Sequence, residues 1–203
     1  MFQVAIQNVL AKNLDAVSQS VVYPAGFDQN VTAGVQNVVD IIKYGLEDCP
    51  DQGYFLFGYS QGATVVQEAL NELENASAAA VKSVVLVGNP YRIPGRLSNV
   101  DSQGRVDNRT AYGLFATQSL QSNGSIPTYS DIFDRSGKVQ DICLEVSALQ
   151  HVICAALTDY RLKNDIVCAA DPDCDCQLAS DHLSYGLMQS VQDLIVEHVV
   201  SQF

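Results

Sequence analysis

Apolar residues along the chain alternate between short continuous runs and helical spacings, a pattern that predicts a mostly parallel sheet covered by helices on both faces. Ser20-Val21-Val22-Tyr23, followed by Pro24-Ala25-Gly26, reads as a short buried strand ending in a turn. Val35, Val38, Val39, Ile42 and Leu46 then recur at helical spacing up to a stop signal at Cys49-Pro50. Gly53 to Gly58 is a continuous apolar strand, and Val65, Val66, Ala69, Leu70 and Leu73 carry a helix out of the following turn. Val81 to Val87, interrupted only by Lys82 and Ser83, makes the next strand. Tyr91 to Thr128 is rich in Gly, Asn, Ser and Pro, with one strand expected at Ala111 to Thr117. Leu187, Val191, Leu194, Ile195 and Val199 define a final amphipathic helix. The expectation is one domain over residues 1–203, an α/β fold built as a three-layer α/β/α sandwich around a mostly parallel central sheet.

Composition narrows the partners. With 203 residues, 47% of them hydrophobic and 17% charged, the chain can bury a sizeable core without metals or many disulfides. A net charge of −12 argues against nucleic acid and anionic lipid surfaces, which an acidic protein repels. No apolar run reaches the length of a membrane span, so membrane insertion is not expected. The first residues, Met1-Phe2-Gln3-Val4-Ala5, lack the features of a secretory leader. Six cysteines and four glycosylation sequons, beginning at Asn30, Asn75, Asn108 and Asn123, point instead to an extracellular mature protein whose leader is not in this sequence.

The chemistry centres on Gly58-Tyr59-Ser60-Gln61-Gly62. As a bare pentapeptide, Gly-x-Ser-x-Gly is a weak signal. Here it follows an apolar strand and opens a helix, the setting of the nucleophile elbow of α/β hydrolases. Such a bend exposes the Ser60 hydroxyl and aims the helix N-terminus, with the Gln61 backbone N–H, at a developing oxyanion. Gly58 and Gly62 are expected to be required because a side chain at either would collide with the neighbouring strand and helix.

A serine hydroxyl needs a base, normally a histidine oriented by a carboxylate. There are three histidines. His198 falls on the apolar side of the last helix and reads as packing, and His151 lies in an apolar stretch. His182 precedes the last helix in a loop, where hydrolases whose catalytic residues run Ser, acid, His along the chain place the base. By position the acid is one of Asp165, Asp171, Asp173, Asp175 and Asp181.

Four stretches together resemble the cutinase and acetylxylan esterase family: Cys49-Pro50-Asp51 ahead of the serine, Gly58-Tyr59-Ser60-Gln61-Gly62-Ala63, Asp165-Ile166-Val167-Cys168, and His182-Leu183-Ser184-Tyr185. The resemblance runs from about Ala16 to the C-terminus, and its last two motifs are more similar to the cutinase form. It implies Ser60 as nucleophile, Asp165 as the carboxylate, His182 as the base and the Gln61 N–H as an oxyanion donor. The run Asp171-Pro172-Asp173-Cys174-Asp175 then reads as an exposed acidic turn, with no metal site.

The family also closes a small disulfide loop around its acid. Cys168 is in place, but Arg161 stands where the partner cysteine belongs. Deleting eighteen residues, for example Glu145 to Leu162, joins Cys143-Leu144 to Lys163-Asn164-Asp165 and restores the spacing. An insertion is therefore expected at about 145–162, either translated intron sequence or an extra helix over the active-site rim. A Cys143–Cys168 bridge is expected in both cases, with Cys154 as competitor and the partners of Cys174 and Cys176 open. At the front, family members carry a strand, a cysteine pairing with the counterpart of Cys49, and a loop hydroxyl completing the oxyanion hole. Nothing before Ser18 matches these, and Met1 to Leu14 looks like the helix that follows that strand. The expectation is a fold missing its first strand, with Cys49 unpaired and, for one lost oxyanion donor, a turnover reduced roughly 10²- to 10³-fold.

The function these features imply is a secreted, monomeric serine esterase acting on cutin-type or short-chain acyl esters without a cofactor. Val167, Leu178 and Leu183 are candidates for the acyl site. An acetylxylan esterase acting on acetylated polysaccharide is the alternative, as is a catalytically impaired relative that acts by binding.

Overall fold

The computed structural model describes residues 1–144, 165–170 and 179–203. Four strands form the sheet among these residues: β1 (Tyr54–Tyr59), β2 (Val81–Val87), β3 (Asn99–Asp101) and β4 (Val139–Cys143). Their order is β1-β2-β4-β3 and every pairing is parallel, with Tyr59 opposite Val87 and Leu86 opposite Asp141. The helices are α1 (Gln3–Lys12), α2 (Thr32–Asp48), α3 (Gln61–Glu72), α4 (Asn75–Ala80), α5 (Leu114–Gln121), α6 (Asp131–Arg135), α7 (Ala179–His182) and α8 (Gln189–Val200).

The unbroken apolar run of β2 follows from burial on both faces. Val84 and Leu86 pack with Val35, Val38 and Ile42 of α2 and Val65, Val66 and Leu70 of α3. Val85 and Val87 point the other way, into Ala5 and Val9 of α1 and Val191, Ile195 and Val199 of α8. The period-two alternation of a strand thus divides one run between two cores, and the three-layer sandwich is the result. Gln192 on α8 is buried between the layers, where its Oε1 accepts the Ala5 N–H at 3.2 Å, a donor in the first turn of α1 that the helix itself cannot satisfy.

Two predicted strands are absent. Ser20 to Tyr23 is irregular and Val22 is 76% exposed, with its N–H donated to the Asn37 side chain at 2.8 Å. β-branched residues favour a strand only where a neighbouring strand takes their backbone groups, and none does so here among the described residues. Ala111 to Thr117 contains instead the start of α5. The Phe115 and Ala116 N–H groups both donate to the Pro90 carbonyl, at 2.9 and 3.2 Å, so a distant acceptor starts the helix. Gly113 permits that approach, since a Cβ there would stand 2.4 Å from Pro90 O.

β4, by contrast, carries no clear apolar signature because Asp141 sits at its centre. That carboxylate is buried against Asn89 (2.8 Å) and Arg92 (3.6 Å), and Arg92 is in turn paired with Asp107 at 2.9 Å.

Candidate active site

The bend after β1 holds Ser60 at φ 56° and ψ −124°, a conformation a non-glycine residue rarely adopts, with its N–H donated to Val87 O at 2.9 Å. Ser60 is the N-cap of α3, and the Gln61 N–H is in the helix's first turn, where no intrahelical acceptor exists. The Gln61 side chain turns away to donate to Gly26 O at 2.8 Å.

The two flanking glycines differ. A Cβ on Gly58 would lie 2.5 Å from Gly62 O and 2.7 Å from the Ala63 Cα, so the expected collision is real there. A Cβ on Gly62 would meet only the Tyr23 hydroxyl, at 4.0 Å, so the expected collision at Gly62 does not occur. That position faces a cleft toward Tyr23 instead of the sheet.

Asp165 is fully buried and its carboxylate is saturated with donors. Oδ1 accepts the Val167 N–H at 2.8 Å, Oδ2 accepts the Tyr185 hydroxyl at 2.7 Å, and both oxygens stand within 3.0 Å of His182 Nδ1. A carboxylate on Nδ1 assigns the ring proton to that nitrogen and leaves Nε2 as an acceptor. Nε2 is itself buried and has no hydrogen-bond partner among the described residues. His182 lies at the end of the one-turn helix α7, not in a loop as expected.

Ser60 and His182 have neighbours in common, although no hydrogen bond joins the Ser60 hydroxyl to Nε2 among the described residues. Tyr59 stacks on the imidazole, with centroids 4.9 Å apart and planes 22° from parallel, and its hydroxyl donates to His182 O at 2.5 Å. Gly88, next to the Val87 carbonyl that holds Ser60, lies against the Nδ1–Cε1 edge of the ring: a Cβ there would lie 2.7 Å from His182 Cε1 and 3.0 Å from Asp165 Oδ2. Burial, and then the charge of Asp165, push the Tyr59 phenol up to about 12. The same two causes raise Tyr185 well above the ordinary phenol range. Both hydroxyls therefore remain neutral donors.

Beneath the site, Cys143 and Cys168 are joined in a disulfide with Cα atoms 5.9 Å apart, and Cys168 Sγ contacts Asp165 Oδ2 at 3.3 Å. Cys49 is exposed and free. His198 is half-buried, donates Nε2–H to Lys138 O at 3.0 Å, and is lowered from the usual histidine value by desolvation, consistent with packing. Leu183 is 72% exposed beside His182, and Val167 is half-buried beside Asp165. Leu178, His151, Cys154, Cys174, Cys176, Asp171, Asp173, Asp175 and the 145–162 segment lie outside the described residues. Asp181 is buried, and its carbonyl accepts from the Ser184 hydroxyl at 2.8 Å. Sequence reasoning did not single out Gly88, Tyr59 or the role of Tyr185. A glycine ending a buried strand was the one available signal for Gly88.

A parallel sheet between helix layers, with a strained serine at a strand-to-helix bend, defines an α/β hydrolase. The family model described as Cutinase matches residues 2–203, and the chain belongs to the cutinase family. In sequence it is 38% identical over 76 residues to a cutinase of Hypocrea jecorina, a match covering 36% of this chain and 31% of that protein. The chain thus spans about a third of the length of that relative. In structure it is similar to a cutinase-like protein from Cryptococcus sp., with a TM-score of 0.74 and 30% identity over 99% of this chain and 85% of that one. An acetylxylan esterase shares the fold at a TM-score of 0.68 and 17% identity, over 98% of this chain and 88% of the other.

Proposed function

We propose that this chain is a secreted carboxylic ester hydrolase in which Ser60 attacks the ester carbonyl and His182, oriented by Asp165, carries the proton. The observation that supports this best is the buried, unpartnered Nε2 of His182, whose other nitrogen is held by a fully satisfied carboxylate. A buried acceptor without a donor costs about 1–3 kcal/mol, a cost retained where a hydroxyl must be deprotonated.

Nε2 takes the Ser60 proton as Oγ bonds to the carbonyl carbon, and the charge that develops on the carbonyl oxygen meets the Gln61 N–H at the start of α3. Collapse of the tetrahedral intermediate breaks the ester C–O bond, and His182 returns its proton to the departing alcohol. Water then attacks the acyl-enzyme, again losing its proton to His182. That proton goes back to Ser60 as the acid leaves, so the steps balance without a cofactor. Val167 and Leu183 supply apolar contacts for the acyl part.

The disulfide beside the acid and the exposure of all four sequon asparagines, Asn30, Asn75, Asn108 and Asn123, support an oxidising, glycosylating route out of the cell. Kinship with cutinases favours cutin-type or short acyl esters.

The test is turnover of p-nitrophenyl butyrate together with labelling by a serine-directed phosphonate. Hydrolysis and a mass increase on the Ser60 peptide are expected, both abolished in Ser60→Ala, whose turnover should fall by at least ~10⁴-fold. Neither hydrolysis nor labelling would overturn the reading in favour of a binding role. A strong preference for acetylated xylan over butyrate would overturn the substrate class while leaving the hydrolase in place.

A further inference from the structure

The geometry points to Tyr185 and Tyr59 as a clamp that positions the Asp165–His182 pair. The kinetic consequence of the clamp rests on the hydrolase reading above; its structural consequence does not.

Tyr185 is completely buried, and its hydroxyl has three neighbours: the Leu144 N–H, Asp165 Oδ2 and, at 3.3 Å, Cys168 Sγ, a disulfide sulfur that has no proton to give and accepts only weakly. The Leu144 N–H, 2.9 Å away, can only donate, so the phenol proton is directed to Asp165 Oδ2 at 2.7 Å. That one oxygen atom therefore ties the acid to the end of β4. The main chain of Tyr185 is held as well, since its carbonyl accepts from Gln192 Nε2 on α8 at 3.2 Å. The acid is thus referenced to the sheet and to a helix through a single side chain. A phenylalanine would fill the same volume but would leave a buried N–H and a carboxylate oxygen each short of a partner, so core packing alone does not account for a tyrosine.

Tyr59 does the corresponding work on the histidine. It is the residue before Ser60, so it moves with the bend that carries the hydroxyl. Its ring covers one face of the imidazole and its hydroxyl binds the His182 carbonyl, which fixes both the ring plane and the backbone beneath it. The Tyr185 ring stands edge-on to His182 at 6.4 Å and 89°, and the two tyrosines meet at 6.3 Å and 71°. Gly88 lies against the Nδ1–Cε1 edge of the ring, where a Cβ would clash. Neither phenol touches the reacting atoms, so both are positioning residues.

The experiment compares Tyr185→Phe, Tyr59→Phe and Tyr59→Leu in the full chain. It reads kcat and KM on p-nitrophenyl butyrate and the proton resonance of His182 Nδ1, assigned by its loss in His182→Gln. Tyr185→Phe should lower kcat about ten- to hundredfold with KM within about twofold of wild type, and should move the Nδ1 resonance. Tyr59→Phe keeps the stack and should lose less kcat than Tyr59→Leu, which should also broaden the resonance. Unchanged kcat and an unmoved resonance in both phenylalanine variants, or losses confined to KM, would overturn the clamp. The same result in one of them removes that tyrosine from it. Should Tyr185→Phe not fold, the two Tyr59 variants decide. If the wild-type chain neither hydrolyses the ester nor takes the phosphonate, the hydrolase reading fails and the resonance alone judges the clamp.

Discussion

Gly88 and His182 are packed so closely that no carbon atom fits between them: a Cβ on Gly88 would stand 2.7 Å from Cε1 and 2.9 Å from Nδ1 of the imidazole. The glycine also has φ +59°, a left-handed conformation disfavoured for other residues. Gly88→Ala should therefore displace the imidazole and strain the turn together, with a stability loss of about 1–3 kcal/mol and at least a tenfold loss of kcat. Thermal unfolding and steady-state kinetics on p-nitrophenyl butyrate check both; near-wild-type kcat would show that the histidine's place is set by other contacts.

The Cys143–Cys168 bridge spans 25 residues of sequence and lies against the acid. Replacing both cysteines by serine should cost about 3 kcal/mol by releasing the loop in the unfolded chain. Denaturant unfolding of the variant and of wild type, each with and without a thiol reductant, tests this. The reductant should destabilise wild type by more than it destabilises the double variant.

The Asp165 N–H donates to Leu144 O at 2.7 Å. If Glu145 to Leu162 are deleted, the join reads Leu144-Lys163-Asn164-Asp165, and that same hydrogen bond becomes the first-to-fourth bond of a β-turn with asparagine at its third position. The deletion variant should fold, form the Cys143–Cys168 bridge and keep its thermal midpoint within a few degrees or raise it. Peptide mapping and calorimetry read this out. A missing bridge or loss of cooperative unfolding would mean that the segment belongs to the native fold.

Asp141 is raised from 3.8 to about 6, chiefly by burial, with Arg92 and the Asn89 amide opposing. Between those values the folded chain holds a proton that the unfolded chain has released. Stability from this group is therefore fully present below about pH 4 and is lost as pH rises through about 6. In urea titrations from pH 4 to 7, Asp141→Asn should flatten this fall relative to wild type. An equally steep fall in the variant would place the dependence elsewhere.

Legibility in the sequence followed the range of the interactions. The elbow could be read because a continuous apolar strand, two glycines and a helical repeat are consecutive in the chain, and Gly58 to Gly62 lies where those signals meet. α2, α3 and α8 were legible because their apolar residues recur at helical spacing, which local periodicity records, whereas the helix α1 was expected only from family likeness. β4 was not, because its central Asp141 is tolerated only through Asn89 and Arg92, which come from another part of the chain. The expected strand at Ala111 to Thr117 failed for a similar reason: the Pro90 carbonyl that starts α5 is remote in sequence. Gly62 shows the opposite error, where a motif position suggested a steric need that the packing does not impose.

By itself the sequence determined the bend at Ser60, the order of Ser60, Asp165 and His182, the pairing of Cys143 with Cys168, and the layering of helices on a parallel sheet. These are written in adjacent residues, in spacing or in family likeness. Only the tertiary structure decided how the histidine is held: between the Tyr59 ring and Gly88, with a carboxylate whose second oxygen is bound by Tyr185. Those contacts join strand ends, a one-turn helix and the turn before the final helix, which no local pattern relates. Their geometry is set by which backbone groups and ring faces remain to be satisfied once the layers have closed.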